Sequence, residues 1–343
     1  MSTVAFPKLG LEFEINPVAF SIGDFDIAWY AIIIAVGFLL AVLYGMHRMR
    51  DFGLDEDRAF DAVIAGMIGG IVGARLYYVA FSWDNYKDDL LSILDTRSGG
   101  LAIYGGIIGA LLVGGIVCKI RKVKLLPMFD VTVLGFLIGQ CIGRWGNFVN
   151  VEAYGSETDW VFGMISTGDV SIVSPVHPCF LYESVWCLIG FILLHFYSKR
   201  RKFDGEVTLL YLMWYGFGRM FIEGLRQDSL YWGPFRVSQM LSGLLVIAAT
   251  ITWLVVRSNI KRNNDPEYLK LYVNTEESKE LLRQADEKIN RKYAKKDSAA
   301  EESAEETAVE EETETSEEKT EIIENAAIDE PEIEEEKENG ESH

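Results

Sequence analysis

Phe129–Trp145 reads FDVTVLGFLIGQCIGRW, an apolar run that carries an arginine, Arg144, where a membrane helix would be expected to hold Leu or Val. A helix crosses about 30 Å of hydrocarbon with about 20 mostly apolar residues, and runs of roughly 17 upward qualify. An arginine at mid-bilayer costs about 2.5–3.5 kcal/mol on insertion scales, so such residues usually face a polar cavity and serve a substrate. The stretch therefore predicts a membrane span with a polar site near one end.

Six further runs have the same character: Ala28–Met46, Ala59–Phe81, Leu101–Cys118, Pro178–Tyr197, Val207–Leu225 and Val237–Val256. The chain is accordingly expected to be all-α, a polytopic membrane protein of seven transmembrane helices. Two more arginines, Arg75 and Arg219, interrupt these runs. Basic residues follow every second span: Arg48 and Arg50; Lys119, Arg121, Lys122 and Lys124; Lys199, Arg200, Arg201 and Lys202; Arg257, Lys261 and Arg262. Positive charge marks the cytoplasmic side, which puts the N-terminus outside and the C-terminus in the cytoplasm. Trp29, Tyr30, Tyr77, Tyr78, Tyr231 and Trp232 then fall near the outer interface as an aromatic belt. Given these directions, Tyr30, Tyr104, Tyr182 and Glu183 share their depth with Arg75, Arg144, Arg219 and Glu223. The polar site is expected to face outward.

The net charge of −19 belongs almost wholly to one end of the 343-residue chain. Beyond residue 300 stand 20 acidic residues against Lys319 and Lys337, a net of −18, and the preceding 300 residues are left near −1. An acidic, aromatic-poor segment buries too little to fold and repels phosphates, so residues 263–343 read as a charged, largely disordered cytoplasmic tail that does not bind nucleic acid, behind a membrane catalytic domain over 1–262. The four cysteines, Cys118, Cys141, Cys179 and Cys187, show no CxxC spacing, and the histidines at 47, 177, 195 and 343 are scattered. No metal or haem site is indicated, no cofactor is expected, and the cysteines read as small packing residues. The start of the chain lacks a basic n-region and cleavage site, so no cleavable signal peptide is expected.

Four strings carry candidate chemistry. In GRWGNFVNVEAYG (Gly143–Gly155), Arg144 and Asn147 are three apart and share a helix face, Gly146 permits close approach of a headgroup or backbone, and Glu152 follows at the interface. In GRMFIEGLRQD (Gly218–Asp228), Arg219 and Glu223 are four apart, with Arg226 three further along. By itself that pair neutralises its own insertion cost; beside a second arginine at equal depth it becomes a candidate anion clamp. The glycine-rich GGLAIYGG (Gly99–Gly106) suits close helix packing and lacks the lysine and strand of a phosphate loop, while its Tyr104 can donate to or accept from a reacting group. His177-Pro178 opens HPCFLYE, with proline in a first helical turn. Arg75 is open to two readings, as a substrate ligand or as a group that satisfies carbonyls or Glu223.

Together these strings, in this order, resemble the bacterial prolipoprotein diacylglyceryl transferase family over roughly Phe20–Val256. The resemblance implies a seven-span enzyme of the cytoplasmic (inner) membrane that takes the diacylglyceryl group from phosphatidylglycerol. The acceptor it implies is the lipobox cysteine thiol of a preprolipoprotein, with glycerol phosphate released. It further implies that Arg144 binds the lipid headgroup, that Arg219 is a second essential arginine, and that Tyr30, Asn147, Glu152, Gly155 and Glu223 match functional positions. One departure is visible: many members carry histidine, a proposed base, where this chain has Tyr104.

The residues agree with that chemistry on physical grounds. When sulfur displaces phosphate from a glycerol carbon, the departing phosphate gains negative charge that fixed arginine donors in a dry site stabilise. The nucleophile is the substrate's thiol, with an ordinary pKa about 8.5, so the enzyme needs only a means of favouring thiolate: Tyr104, Glu152 or the field of the arginines. A transporter or flippase using the arginines for a lipid or organic anion is the alternative, although no inverted repeat is visible and the polar groups favour one leaflet. A membrane scaffold acting through its tail would leave the arginines unexplained.

Overall fold

A computed structural model of the chain describes residues 1–295 apart from Asp24, Asp88, 96–98, 228–230, Asn264 and Pro266. Seven long helices carry the fold: α1 Trp29–Met49, α2 Glu56–Phe81, α3 Ile103–Ile120, α4 Leu125–Val149, α5 Cys179–Ser198, α6 Glu206–Leu225 and α7 Val237–Arg262. Of these, α1 to α5 and α7 are long and apolar enough to cross a membrane. The remaining helix, α6, carries Glu206, Arg219 and Glu223 along its length and falls short of that measure. Leucines and isoleucines such as Leu39, Leu43, Leu111 and Ile247 lie exposed on the outer faces of the helices, as residues facing lipid would. The acidic stretch beyond residue 300, expected to be disordered, lies outside the described residues.

Local sequence sets the helix ends. Asp55 caps α2 by accepting from the Arg58 N–H at 2.9 Å, and Glu56 and Asp57 in the first turn suit the positive end of the helix dipole. The start of α6 is capped from another helix: buried Asp130 of α4 accepts from the N–H groups of Gly205 and Thr208, each at 2.8 Å, and from the Thr208 hydroxyl. In α2 and α3, Gly66, Gly69 and Gly73 face Gly105, Gly109 and Gly114 so that the two backbones touch, the close packing that small residues allow in the absence of water. α4 packs between α1 and α5, and α6 between α5 and α7.

The expectation of an all-helical chain needs correction, for the fold is mostly helical but not wholly so. A four-stranded antiparallel sheet in the order β2-β1-β5-β6 joins β1 (Ser2–Phe6) and β2 (Leu11–Ile15) at the N-terminus to β5 (Met164–Gly168) and β6 (Ile172–Val176) between α4 and α5. Ser2, Val4 and Phe6 are buried while Thr3 and Ala5 are not, the two-residue alternation of a strand with one face on a core. That face packs with Phe148, Val151 and Phe180 at the ends of α4 and α5. Two hairpins, β3 (Val18–Ile22) with β4 (Phe25–Ala28) and β7 (Tyr231–Trp232) with β8 (Phe235–Arg236), lead into α1 and α7. Strands of two to five residues lack the length that makes helical runs conspicuous in the sequence.

At the opposite, basic end the compact unit runs from Met1 to Leu282, past Arg262 where the charge pattern placed the boundary. The physical cause is a return of the chain after α7. Tyr272 is buried beside Phe52, Leu54 and Val123, and its N–H donates to Asp204 at 2.7 Å. Fully buried Ser278 donates to the Gly53 carbonyl at 2.8 Å, and Lys124 pairs with Glu277 at 3.0 Å. The second unit begins at Arg283, and its described part, 283–295, is helical.

Candidate active site

Arg144 on α4, Glu183 on α5 and Arg219 on α6 meet at the end of the bundle where α4 and α6 finish and α5 begins. Each carboxylate oxygen of Glu183 serves a different arginine: Oε1 accepts from Arg144 Nη2 at 2.5 Å and Oε2 from Arg219 Nη1 at 2.9 Å. Tyr215, four residues before Arg219, donates its hydroxyl to Oε1 at 2.9 Å. Arg219 Nη2 pairs with Glu223 Oε2 at 2.5 Å, the i,i+4 contact expected on one helix face. Glu183 and Glu223 are buried, whereas the arginine side chains retain 21% and 16% exposure.

From Arg144 the polar chain continues outward. Its Nη1 reaches Asn147 Oδ1 at 3.3 Å, and the Asn147 amide donates to Glu152 Oε1 at 2.8 Å. A sharp backbone turn makes the second contact possible. The N–H of Val151 bonds to the Phe148 carbonyl and that of Glu152 to the Asn147 carbonyl, the paired bonds of a Schellman cap, in which the residue after the cap is normally glycine. Here it is Val151, left-handed at φ 52°, and Ala153 follows at φ 57°. Each left-handed non-glycine residue costs about 1–2 kcal/mol, and strain of this kind gathers at functional sites. The cost is offset by burial of the Val151 side chain against the sheet.

Tyr30 and the two glycines of the string are explained by close approach. The Tyr30 ring, at the start of α1, lies over Gly146, where an added Cβ would stand 2.7 Å from Tyr30 Cδ2. Gly155 sits at a junction of three segments: its N–H donates to the His177 carbonyl at 2.8 Å, it bridges Arg226, and a Cβ there would lie 2.8 Å from the His177 Cβ and 3.1 Å from the Leu225 carbonyl oxygen. The junction ties the chain after α4 to the start of α5 and the end of α6. Burial holds His177 below its ordinary pKa, and its Nδ1 lies 3.1 Å from the Tyr182 hydroxyl.

Tyr30, Arg144, Asn147, Glu152, Arg219 and Glu223 are therefore brought into one connected region, with Gly155 at its joint. Arg75 and Tyr104 lie on the α2–α3 hairpin instead. All five donors of the Arg75 guanidinium are taken by carbonyls of the α2–α3 connection, those of Ser92, Ile93, Asp95, Gly99 and Gly100, at 2.5 to 3.0 Å. Of its two readings, carbonyl satisfaction is the one this geometry carries. Tyr104 is 40% exposed near the start of α3. Two further participants are Glu183, which the sequence places at the depth of the arginines without a role, and Arg236. Glu183 obeys the same cost argument as the arginines, as a carboxylate inside an apolar run, and that signal was present in the sequence. Arg236 gave none: it stands outside the apolar runs, and it donates to the Glu223 carbonyl at 2.5 Å through a turn that folds α7 back on α6.

Residues 17–255, which include every one of these side chains, match the family model for prolipoprotein diacylglyceryl transferase. The chain belongs to that family. It is 44% identical over 256 residues to the phosphatidylglycerol–prolipoprotein diacylglyceryl transferase of Enterococcus faecalis, across 72% of this chain and 92% of the relative. The proteins of the same name from Finegoldia magna and Clostridioides difficile are 41% and 40% identical, over 98% and 99% of their lengths and 72% and 73% of this chain. The family match thus takes in α1 to α6 and most of α7, and ends before the segment that docks Tyr272 and Ser278.

Proposed function

We propose that this chain moves the diacylglyceryl group of phosphatidylglycerol onto the lipobox cysteine thiol of a preprolipoprotein. In the step, a C–S bond forms to the glycerol carbon, the C–O bond to phosphate breaks, and its electron pair leaves with glycerol phosphate. The thiol proton passes to a base or to water. The observation that carries the reading is the pair of guanidinium groups joined on one buried carboxylate, beside Asn147 and Glu152. Fixed donors of this kind stabilise negative charge that grows on a departing phosphate. Arg144 and Arg219 are read as the clamp on the lipid phosphate, with Tyr30, Asn147, Glu152 and Glu223 as the polar groups around the reacting atoms. Gly155 holds the backbone around the site, Arg75 orders the α2–α3 connection, and Tyr104 is a hydrogen-bond donor to lipid or thiol from the α2–α3 hairpin.

The same proposal gives the chain seven spans, α6 included, in a bacterial cytoplasmic membrane. The polarity of α6 is accommodated because its charges pair inside the bundle, and the alternation of basic loops supports an outer N-terminus, an outward-facing site and a cytoplasmic acidic tail. A membrane catalytic domain followed by a charged tail is part of this reading. The transporter alternative has no support among the relatives, which carry the transferase name. Purified protein incubated with phosphatidylglycerol and a lipobox peptide should yield a peptide heavier by one diacylglyceryl group. Absence of that product from folded protein would overturn the proposal.

A further inference from the structure

Glu183 is buried to 2% exposure and contacts both arginines, one with each carboxylate oxygen. We propose that Glu183 is a positioning residue, which holds the Arg144 and Arg219 guanidinium groups side by side so that both address a single phosphate. The proposal rests on reading those arginines as the lipid clamp. Three features of the geometry carry it.

First, the two arginines come from different helices, and like charges at short range in a low-dielectric interior repel strongly. A carboxylate between them converts that repulsion into two ion pairs. Second, the rigid carboxylate assigns one oxygen to each arginine, so the spacing of the two guanidinium groups follows from the geometry of a single side chain. Long arginine side chains otherwise sample many rotamers. Tyr215 fixes the carboxylate in turn from the same helix as Arg219. Third, Glu183 uses only Nη2 of Arg144, whose Nη1 makes a loose 3.3 Å contact with Asn147. That donor can turn to a phosphate without breaking the ion pair. With Glu223 on Arg219, two cations face two carboxylates, so an arriving phosphate meets a neutral cluster whose donors are already aimed.

The test is a steady-state transfer assay with the full-length protein in micelles, varying phosphatidylglycerol against a lipobox peptide, for Glu183→Gln, Arg144→Lys, Arg219→Lys and the Glu183→Gln/Arg144→Lys double variant. Glutamine keeps the size of Glu183 but leaves the cluster one unit more positive. The anionic lipid should still bind while the arginines lose their alignment. Loss of folded enzyme would lower apparent kcat at constant KM, so rates are taken per folded enzyme, quantified by size-exclusion chromatography and thermal melting; the expected result is a fall in kcat of at least about tenfold with KM for phosphatidylglycerol within about threefold of wild type. In the double variant the two losses should not multiply, because Glu183 acts through Arg144. Glu183→Asp, whose carboxylate is drawn back by about 1.5 Å, should be impaired as well. Wild-type turnover in Glu183→Gln, or losses that multiply in full, would overturn the proposal. If Glu183→Gln fails to accumulate, Tyr215→Phe carries the test: it removes the hydroxyl that donates to Glu183, so a fall of about threefold or more supports the role and unchanged turnover refutes it. If both lysine variants work at wild-type rate, the clamp reading itself falls. If they are impaired and Glu183→Gln is not, only the positioning role falls.

Discussion

Replacing Gly146 with alanine should separate activity from stability in this protein. The new Cβ would lie 2.7 Å from Tyr30 Cδ2 and 3.1 Å from Cε2, and carbon atoms rest at about 3.5–4.0 Å. The ring must therefore retreat by about 0.8 Å or more to restore ordinary contact. Tyr30 is the second residue of α1 and 38% exposed, so it has room to move without unravelling the bundle. Overpacking costs about 1–3 kcal/mol, while alanine in place of glycine inside a helix returns about 0.8–1.0 kcal/mol. The melting temperature should change little. A displacement near 1 Å at a reacting centre, in contrast, can cost about a hundredfold in rate, so transfer to a lipobox peptide should fall by about ten- to a hundredfold. Gly143→Ala is the control: its Cβ meets only the terminal Cδ1 of Ile34, at 3.2 Å, a flexible contact that should leave turnover within about twofold. A Gly146→Ala enzyme that melts normally and turns over at the wild-type rate would show that the placement of Tyr30 does not matter to the reaction.

Arg144→Lys keeps the charge and loses the planar fork, so activity should drop at least about tenfold, or 1.4 kcal/mol in the barrier; a rate near wild type would remove Arg144 from the clamp. Truncation after Leu282 should leave melting and transfer unchanged, whereas truncation after Asn264 strips out buried Tyr272 and should cost about 3–5 kcal/mol, the range for deleting a large buried aromatic side chain. Indistinguishable melting curves for the two truncated proteins would contradict the docking of residues 271–278. Tyr104→Phe should slow transfer without altering its pH profile, since a phenol hydroxyl serves as a hydrogen-bond donor without ionising; full activity would reduce Tyr104 to packing, and loss of an ionisation from the profile would make it the base.

The helices and the arginines were legible in the sequence because the membrane imposes a rule on every residue. A charge in an apolar run is costly wherever it lies, so each exception marks something that compensates for it. Arg144 and Arg219 stand out in this way; Glu183 meets the same rule and shares their depth, but its place between them appears only in the structure. Arg75 met the rule too, yet its compensation is a set of backbone carbonyls 17 to 25 residues away in the chain. Cost alone does not reveal which partner offsets it. The β-structure was illegible for another reason. The pairing of β1 with β5 joins residues 2–5 to residues 165–168, and no local period reports a contact of that range. The docking of Tyr272 was hidden likewise, behind a charge-rich stretch that composition assigned to a tail.

The strained turn after α4 connects these two kinds of information. Val151 stands in a position that favours glycine, and a glycine there would release about 1–2 kcal/mol of backbone strain. Valine is accommodated because its side chain enters the core beneath the sheet with Val4, Phe6 and Phe180. The sheet exists only because the N-terminal strands reach across to the connection between α4 and α5. The consequence at the site is local: once Val151 is pinned, Glu152 folds back on Asn147, and Asn147 lies against Arg144. On the proposed reading, the strands thus contribute to the chemistry without supplying a reacting group. They hold the carboxylate of Glu152 at the rim of the phosphate clamp, while Glu183 holds the two arginines from beneath. A site ordered from both sides has little left to reorganise when charge shifts onto the departing phosphate, which is the condition under which fixed donors contribute most to a rate.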